Sequence, residues 1–269
     1  MLRNTLLLLL LFALTITIQA QDQDTMYIMK NGNVVAKYNV NTEIDSIIFY
    51  QPSPQPNNTF VDERDGTLYH FVTIGEQTWM AENLKYLPFV TDSTIISLND
   101  PCCYVYGYGG TSVEEAKTLD TYRDYGVLYN WVCAMDGQSS TNGNPSGVQG
   151  ICPEGWHLPS DAEWTELINF LGGSEVAGGK LKETGTTYWK SPNTGATNET
   201  AFGARAGGLH ASLVGKYIDL KEFGYWWTTL QDQFFTDAAY VRLMWHTKAE
   251  ATTQFYNKDY GFSVRCVRD

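Results

Sequence analysis

The chain is short of positive charge. It carries 18 Lys and Arg against 30 Asp and Glu, a formal net charge of −12. Phosphate binding needs clustered Lys and Arg, so this balance argues against a nucleic-acid partner and disfavours docking on anionic lipid. Histidine is scarce as well: His70, His157, His210 and His246 each stand alone. There is no C-x-x-C and no paired His spacing, which removes the usual zinc sites. G-x-S-x-G and H-E-x-x-H are missing, and Gly178-Gly179-Lys180 lacks the Walker spacing and its closing Ser or Thr. No cofactor and no metal are expected. Beyond the first 20 residues no apolar run reaches the ~20 residues of a spanning helix.

What is present begins at the first residue. Met1–Asn4 holds one positive charge, Leu6–Ile18 is almost unbroken apolar sequence, and Ala20 is a small residue before the expected cut. That order reads as a cleavable secretory signal over residues 1–20. Its removal takes away Arg3 and no acid, so the mature chain is more acidic by one charge. No Cys stands near the cut, so a bacterial lipoprotein anchor is not indicated. The expected location is the periplasm, cell surface or extracellular space. Cys102, Cys103, Cys133, Cys152 and Cys266 all lie in the mature part, where an oxidising compartment makes them disulfide candidates. Five is odd, so at least one thiol is left over, and the adjacent Cys102 and Cys103 compete for one partner.

Residues 21–50 read as a small β-meander: Met26–Lys30, the type I′ turn signal Asn31-Gly32, the return Asn33–Val40, and a third β-prone run, Asp45–Tyr50. Three short strands are too small to be stable alone. This unit is therefore expected to pack on the main domain or on a partner. Gln51–Asn58 reads as an extended Pro-rich linker, and the main domain as residues 59–269. There, Phe60–Glu63, the Asp65-Gly66 turn and Thr67–Ile74 predict a hairpin, and Gln77–Met80 follows the turn Gly75-Glu76. Met80–Leu84 reads as a helical turn and residues 88–124 as a long loop with local structure. The spacing of Leu128, Trp131, Val132 and Met135 predicts a helix over Val127–Met135. Ser160 and Glu163 form a capping box for a second helix bearing Trp164, Leu167, Ile168 and Leu171, stopped by Gly172-Gly173. A short helix follows over Ser174–Lys182. Phe223–Thr229, Ala238–Trp245 and Gly261–Val267 predict strands. Without βαβ alternation, the class is α+β.

Five blocks now carry a resemblance: Gly75–Leu84 (GEQTWMAENL), Tyr125–Trp131 (YGVLYNW), Gly150–Trp164 (GICPEGWHLPSDAEW), Ala177–Lys182 (AGGKLK) and Gly261–Val267 (GFSVRCV). In this order they resemble the Fibrobacter succinogenes major paralogous domain family, over about residues 59–269. The resemblance implies an exported protein of Bacteroidetes or related Gram-negative bacteria, and no established activity. Ile44–Phe49 is similar to a segment that precedes such domains. Cys152 and Cys266 both lie in these blocks, and the resemblance implies a disulfide between them; Cys133 is then expected to pair with Cys102 or Cys103. Leu158–Trp164 is also similar to a Leu-Pro-Thr-x-Ala-Glu-Trp block of the formylglycine-generating enzymes, and Gly261–Cys266 to their closing Gly-Phe-Arg-Cys strand. That likeness implies a C-type-lectin-like fold, an irregular α+β domain whose first and last strands pair, with long loops on one side.

The chemistry of those relatives does not transfer. Formylglycine-generating enzymes hold copper with a late pair of nearby Cys, whereas Cys266 has no Cys before it nearer than Cys152. His157 reads as a structural His with bonded partners rather than a base, and Glu163 is accounted for by capping. C-type lectins bind sugar through calcium, with a Glu-Pro-Asn or Gln-Pro-Asp loop and a Trp-Asn-Asp strand. Here Gln55-Pro56-Asn57 lies in the linker and Trp227-Thr228-Thr229 lacks the acids. Sugar stacking without calcium makes the adjacent Tyr225, Trp226 and Trp227 the candidate ligand-binding residues, set against core packing, which large aromatics favour. The expectation is an exported, non-catalytic binding or structural module for a glycan or protein ligand. The alternative is an enzyme with its site on the loop face of a formylglycine-generating-enzyme-like fold, favoured by His and carboxylates grouped in one cleft.

Overall fold

The computed structural model describes residues 25–30, 33–39, 58–211 and 215–269. The chain divides into two compact units, Met1–Gln51 and Pro52–Asp269. The expected signal segment, the Asn31-Gly32 turn, the run Asp45–Tyr50 and the linker up to Asn57 lie outside the described residues. In the first unit β1 (Thr25–Lys30) pairs antiparallel with β2 (Asn33–Asn39), with a register shift between Ile28 and Met29.

The described part of the second unit starts with the expected hairpin and the strand after it: β3 (Asn58–Asp62), β4 (Thr67–Ile74) and β5 (Gln77–Met80), all antiparallel. Gly66 takes φ 76° in the first turn, a conformation glycine adopts without strain. The helical turn expected over Met80–Leu84 is not formed. Its amides bond across the fold instead, Met80 N–H to Cys266 O at 3.1 Å and Leu84 N–H to Val264 O at 2.9 Å. The expected long loop 88–124 contains β6 (Cys103–Tyr104), α1 (Val113–Lys117) and α2 (Asp120–Tyr125). The helix expected from Val127 begins later. Leu128–Tyr129 forms β7 against β6, and Asn130 caps α3 (Trp131–Met135), its side chain accepting from Cys133 N–H at 3.0 Å.

After β8 (Trp156–His157) comes α4 (Asp161–Phe170), where the Ser160–Glu163 capping box is complete. Gly172 and Gly173 then take φ of 100° and 95° and end the run before α5 (Ser174–Leu181). The glycines of AGGKLK permit a close approach: a Cβ on Gly178 would strike the Glu250 carbonyl, and one on Gly179 the Gly195 carbonyl. Then follow β9 (Leu209–Ala211), β10 (Lys216–Ile218), β11 (Phe223–Gln231), β12 (Ala238–Trp245), β13 (Ala251–Asn257) and β14 (Val267–Arg268).

The result is α+β, with short helices and antiparallel sheets. The largest sheet has the order β3-β4-β5-β14-β8, and a second runs β11-β12-β13. The last strand returns to the N-terminal sheet, but beside β5 rather than the first strand β3, because β5 is the open edge of the meander. The strand expected over Gly261–Val267 is broken. Gly261 bridges His210, Phe262 bridges Tyr129, and Ser263 bridges Trp226, so the segment changes partner at each residue before β14. Two apolar cores flank β11, and strand alternation sends Tyr225 and Trp227 into one and Trp226 into the other.

Candidate functional site

That alternation decides the fate of the three aromatic candidates. Trp226 and Trp227 are 0% exposed and Tyr225 is buried. Each polar tip is satisfied internally: Trp226 Nε1–H donates to Asn83 Oδ1 (2.9 Å), Trp227 Nε1–H to Tyr129 O (2.7 Å), and Tyr225 O–H to Asp219 Oδ2 (2.8 Å). They are core residues, and none presents a ring face to a ligand.

The sequence blocks meet at two buried polar hubs. At the first, Asn83 Oδ1 accepts from Trp226 and from Arg265 Nη2 (2.8 Å), while Asn83 Nδ2 donates to Tyr125 O and Ser263 Oγ. Arg265 is fully buried, lies over the Phe202 ring, and also donates to the Phe202 and Gly203 carbonyls. Burial pulls its pKa down to about 9, so it stays charged at neutral pH. At the second hub, Gln77 Nε2 donates to the Glu163 carbonyl, and Glu163 Oε2 accepts from Ser160 and Ser146 N–H. Glu163 Oε1 lies 2.6 Å from His157 Nε2, and Asp269 Oδ1 lies 2.7 Å from His157 Nδ1. Four of the five blocks supply side chains or carbonyls to these hubs, and Cys152 and Cys266 join two blocks in a disulfide. The family model of the Fibrobacter succinogenes major domain matches residues 72–268. The chain belongs to this family. No curated protein and no solved structure matches it.

In this family member the His157 hub opens into a cleft of about 480 Å³ lined also by Glu76, Asn144 and Glu166. It groups a His with carboxylates, the arrangement an enzyme would need. Both imidazole nitrogens of His157 are engaged by carboxylates, an arrangement that favours the protonated ring. Burial alone would lower the His157 pKa, but the bonds and charges of Glu163 and Asp269 outweigh it, and the net shift is upward. Glu163 in turn accepts three donors. Among the described residues no His, Cys, Asp and Glu group is arranged to hold a metal ion.

A second cleft, of about 430 Å³, is a mixed polar and aromatic pocket. It is lined by Arg64, bidentate to Asp62 at 2.9 and 2.7 Å and stacked 3.8 Å over the Tyr86 ring. Phe89, Pro88 and Pro101 line it with apolar surface, and Asp136, Gln138 and Gln149 with polar groups.

Apart from Phe170 at the end of α4, which is 64% exposed, the most exposed phenylalanines lie at the β11–β12 connection and on β13. Phe234 is 79% exposed, Phe235 61% and Phe255 48%. Phe235 stacks on Phe255 with centroids 5.7 Å apart, and Tyr240 meets Phe255 edge-on at 6.1 Å. The loop is rigidly built. Buried Asp232 accepts from both Phe234 N–H and Phe235 N–H at 2.8 Å through Oδ1, and from Tyr240 O–H at 2.9 Å through Oδ2. Those backbone bonds hold the Asp232 carboxyl below its usual pKa. This ledge was missed in the sequence. The adjacent Phe234-Phe235, set in the polar run Asp232–Asp237, was the available signal, as were the β-prone Thr252, Thr253, Phe255 and Tyr256 of β13.

Proposed function

We propose that this chain is an exported, non-catalytic binding module that docks a protein partner on the phenylalanine ledge. One observation carries the reading: Asp232 fixes a surface loop so that Phe234 and Phe235 project into solvent beside Phe255. Exposed large apolar groups clustered in one place mark interaction sites, and aromatic anchors held by a rigid loop bind with little ordering cost. The stacked Phe235–Phe255 pair covers its own ring faces, which suits a knob entering an apolar protein pocket better than a flat sugar platform. Export is supported by the apolar leader and by the Cys152–Cys266 disulfide. The C-type-lectin-like reading of the fold rests on the Leu158–Trp164 and Gly261–Cys266 blocks and on the return of β14 to the N-terminal sheet.

A double variant tests the docking. Phe234→Ser with Phe235→Ser is expected to keep the unfolding midpoint, since both rings are exposed, and to lose association with exported proteins of the producing cell. Association at the wild-type level would contradict the reading. A second reading, a glycan ligand, is favoured by the other cleft, lined by Phe89 and Tyr86 together with Asp136, Gln138 and Gln149; rings suit the apolar face of a sugar and amides its hydroxyls. It predicts glycan-array binding that Phe89→Ala weakens about tenfold, a loss of ~1.4 kcal/mol.

A further inference from the structure

Three of the five cysteines are described as thiols, all buried: Cys102, Cys103 and Cys133. They are not equivalent. Cys103 Sγ and Cys133 Sγ are 3.1 Å apart, closer than two unbonded sulfurs rest comfortably. Both belong to the main core. Cys102, one residue earlier on the strand segment, faces the other way, into a small cluster with Tyr104 and Leu128, and its Sγ contacts the Asp100 carbonyl at 3.6 Å. The positions are fixed by Asn130. Its Oδ1 accepts from Cys102 N–H at 2.8 Å and from Cys133 N–H at 3.0 Å, which bolts the start of β6 to the first turn of α3. Its Nδ2 donates to the carbonyls of Ser97 and Asp100, anchoring the same loop. One side chain thus holds both backbones so that Cys103, and not Cys102, meets Cys133.

We infer that Cys103 and Cys133 form a second disulfide in the exported protein, leaving Cys102 as its single free thiol. About one ångström of approach brings the sulfurs to the ~2.05 Å of a disulfide. The step balances as thiol–disulfide exchange. The S–H bonds of Cys103 and Cys133 are lost and one S–S bond forms; two electrons and two protons pass to an oxidant of the disulfide class, which leaves as a dithiol. Burial raises the pKa of the Cys103 thiol, so few thiolates exist in the finished fold, and closure belongs to folding, before the core excludes the oxidant. The bond would tie β6 to α3, and Cys133 lines the Arg64–Tyr86 cleft, so it would also brace one wall of that cleft. The inference does not depend on which ligand the protein takes.

Peptide mapping decides it. The full chain is secreted into a bacterial periplasm, denatured without reductant in an alkylating agent, digested, and fragmented to separate Cys102 from Cys103. The expected result is two linked pairs, Cys152–Cys266 and Cys103–Cys133, with alkylation on Cys102 alone. Cys102→Ser should leave the second link intact and reduce the alkylated thiols to none. Alkylation of both Cys103 and Cys133 in the wild type, or a Cys102–Cys133 link, would overturn the inference. The wild-type map suffices if a variant does not fold.

Discussion

Asn83 makes four hydrogen bonds with one amide, and its neighbours depend on it. Removing the side chain leaves the buried Trp226 N–H without its acceptor and deprives Arg265 of its side-chain partner. Each lost partner of a buried group costs more than an ordinary hydrogen bond is worth. Asn83→Ala is therefore expected to destabilise the fold by about 3 kcal/mol or more, measured by urea denaturation. His157 makes a different prediction because it titrates. Its folded pKa lies above the ~6.5 of an unfolded His. The stabilisation it gives is therefore complete below about pH 6.5 and is lost as pH rises through the folded value. His157→Gln should cost about 3 kcal/mol near pH 6 and progressively less as pH rises through the folded value, with most of the effect from the buried Glu163 end, since Asp269 is exposed and screened. A cost that does not change with pH would mean the imidazole is neutral in the fold.

Elements were legible in the sequence where local chemistry set their ends. The hairpin β3–β4, the strand β5 and helices α4 and α5 follow from Asp65-Gly66, Gly75, the Ser160–Glu163 box and Gly172-Gly173, each a backbone requirement met by a particular residue. Ser160→Ala is expected to cost about 1 kcal/mol, the usual value of an N-cap, with the loss confined to α4 in hydrogen exchange. Elements were misread where tertiary bonds override local spacing. Leu128 and Tyr129 look helical with Trp131 and Val132, yet Asn130 is a better cap than an interior residue and releases them to pair with β6. Gly261–Val267 looks like a strand, yet its backbone bonds to three partners in turn, which no single-strand pattern encodes. The candidate site failed for a related reason. Three adjacent aromatics suggest a surface stack, but β11 lies between two cores and buries both of its faces.

At the scale of the molecule, the family blocks are mainly a record of how the domain closes. GEQTWMAENL, GICPEGWHLPSDAEW and GFSVRCV are distant in sequence, and Gln77, Asn83, Cys152, His157, Glu163, Arg265 and Cys266 bind them into one body. Those seven residues are accounted for by packing and bonding inside the domain, and the proposed docking ledge lies outside the blocks, on the Phe234–Phe235 loop and β13. The resemblance announces the domain and says nothing of the proposed ledge, which belongs to none of the blocks. Docking at the ledge is most directly tested by placing a photo-crosslinking residue at position 234 of the full chain in the producing cell, with position 154, an exposed glutamate outside the ledge, as reference. The account predicts a discrete polypeptide adduct from position 234 that is absent from position 154 and is lost with Phe235→Ser and Phe255→Ser. No adduct at 234, or the same adducts from both positions, would contradict it.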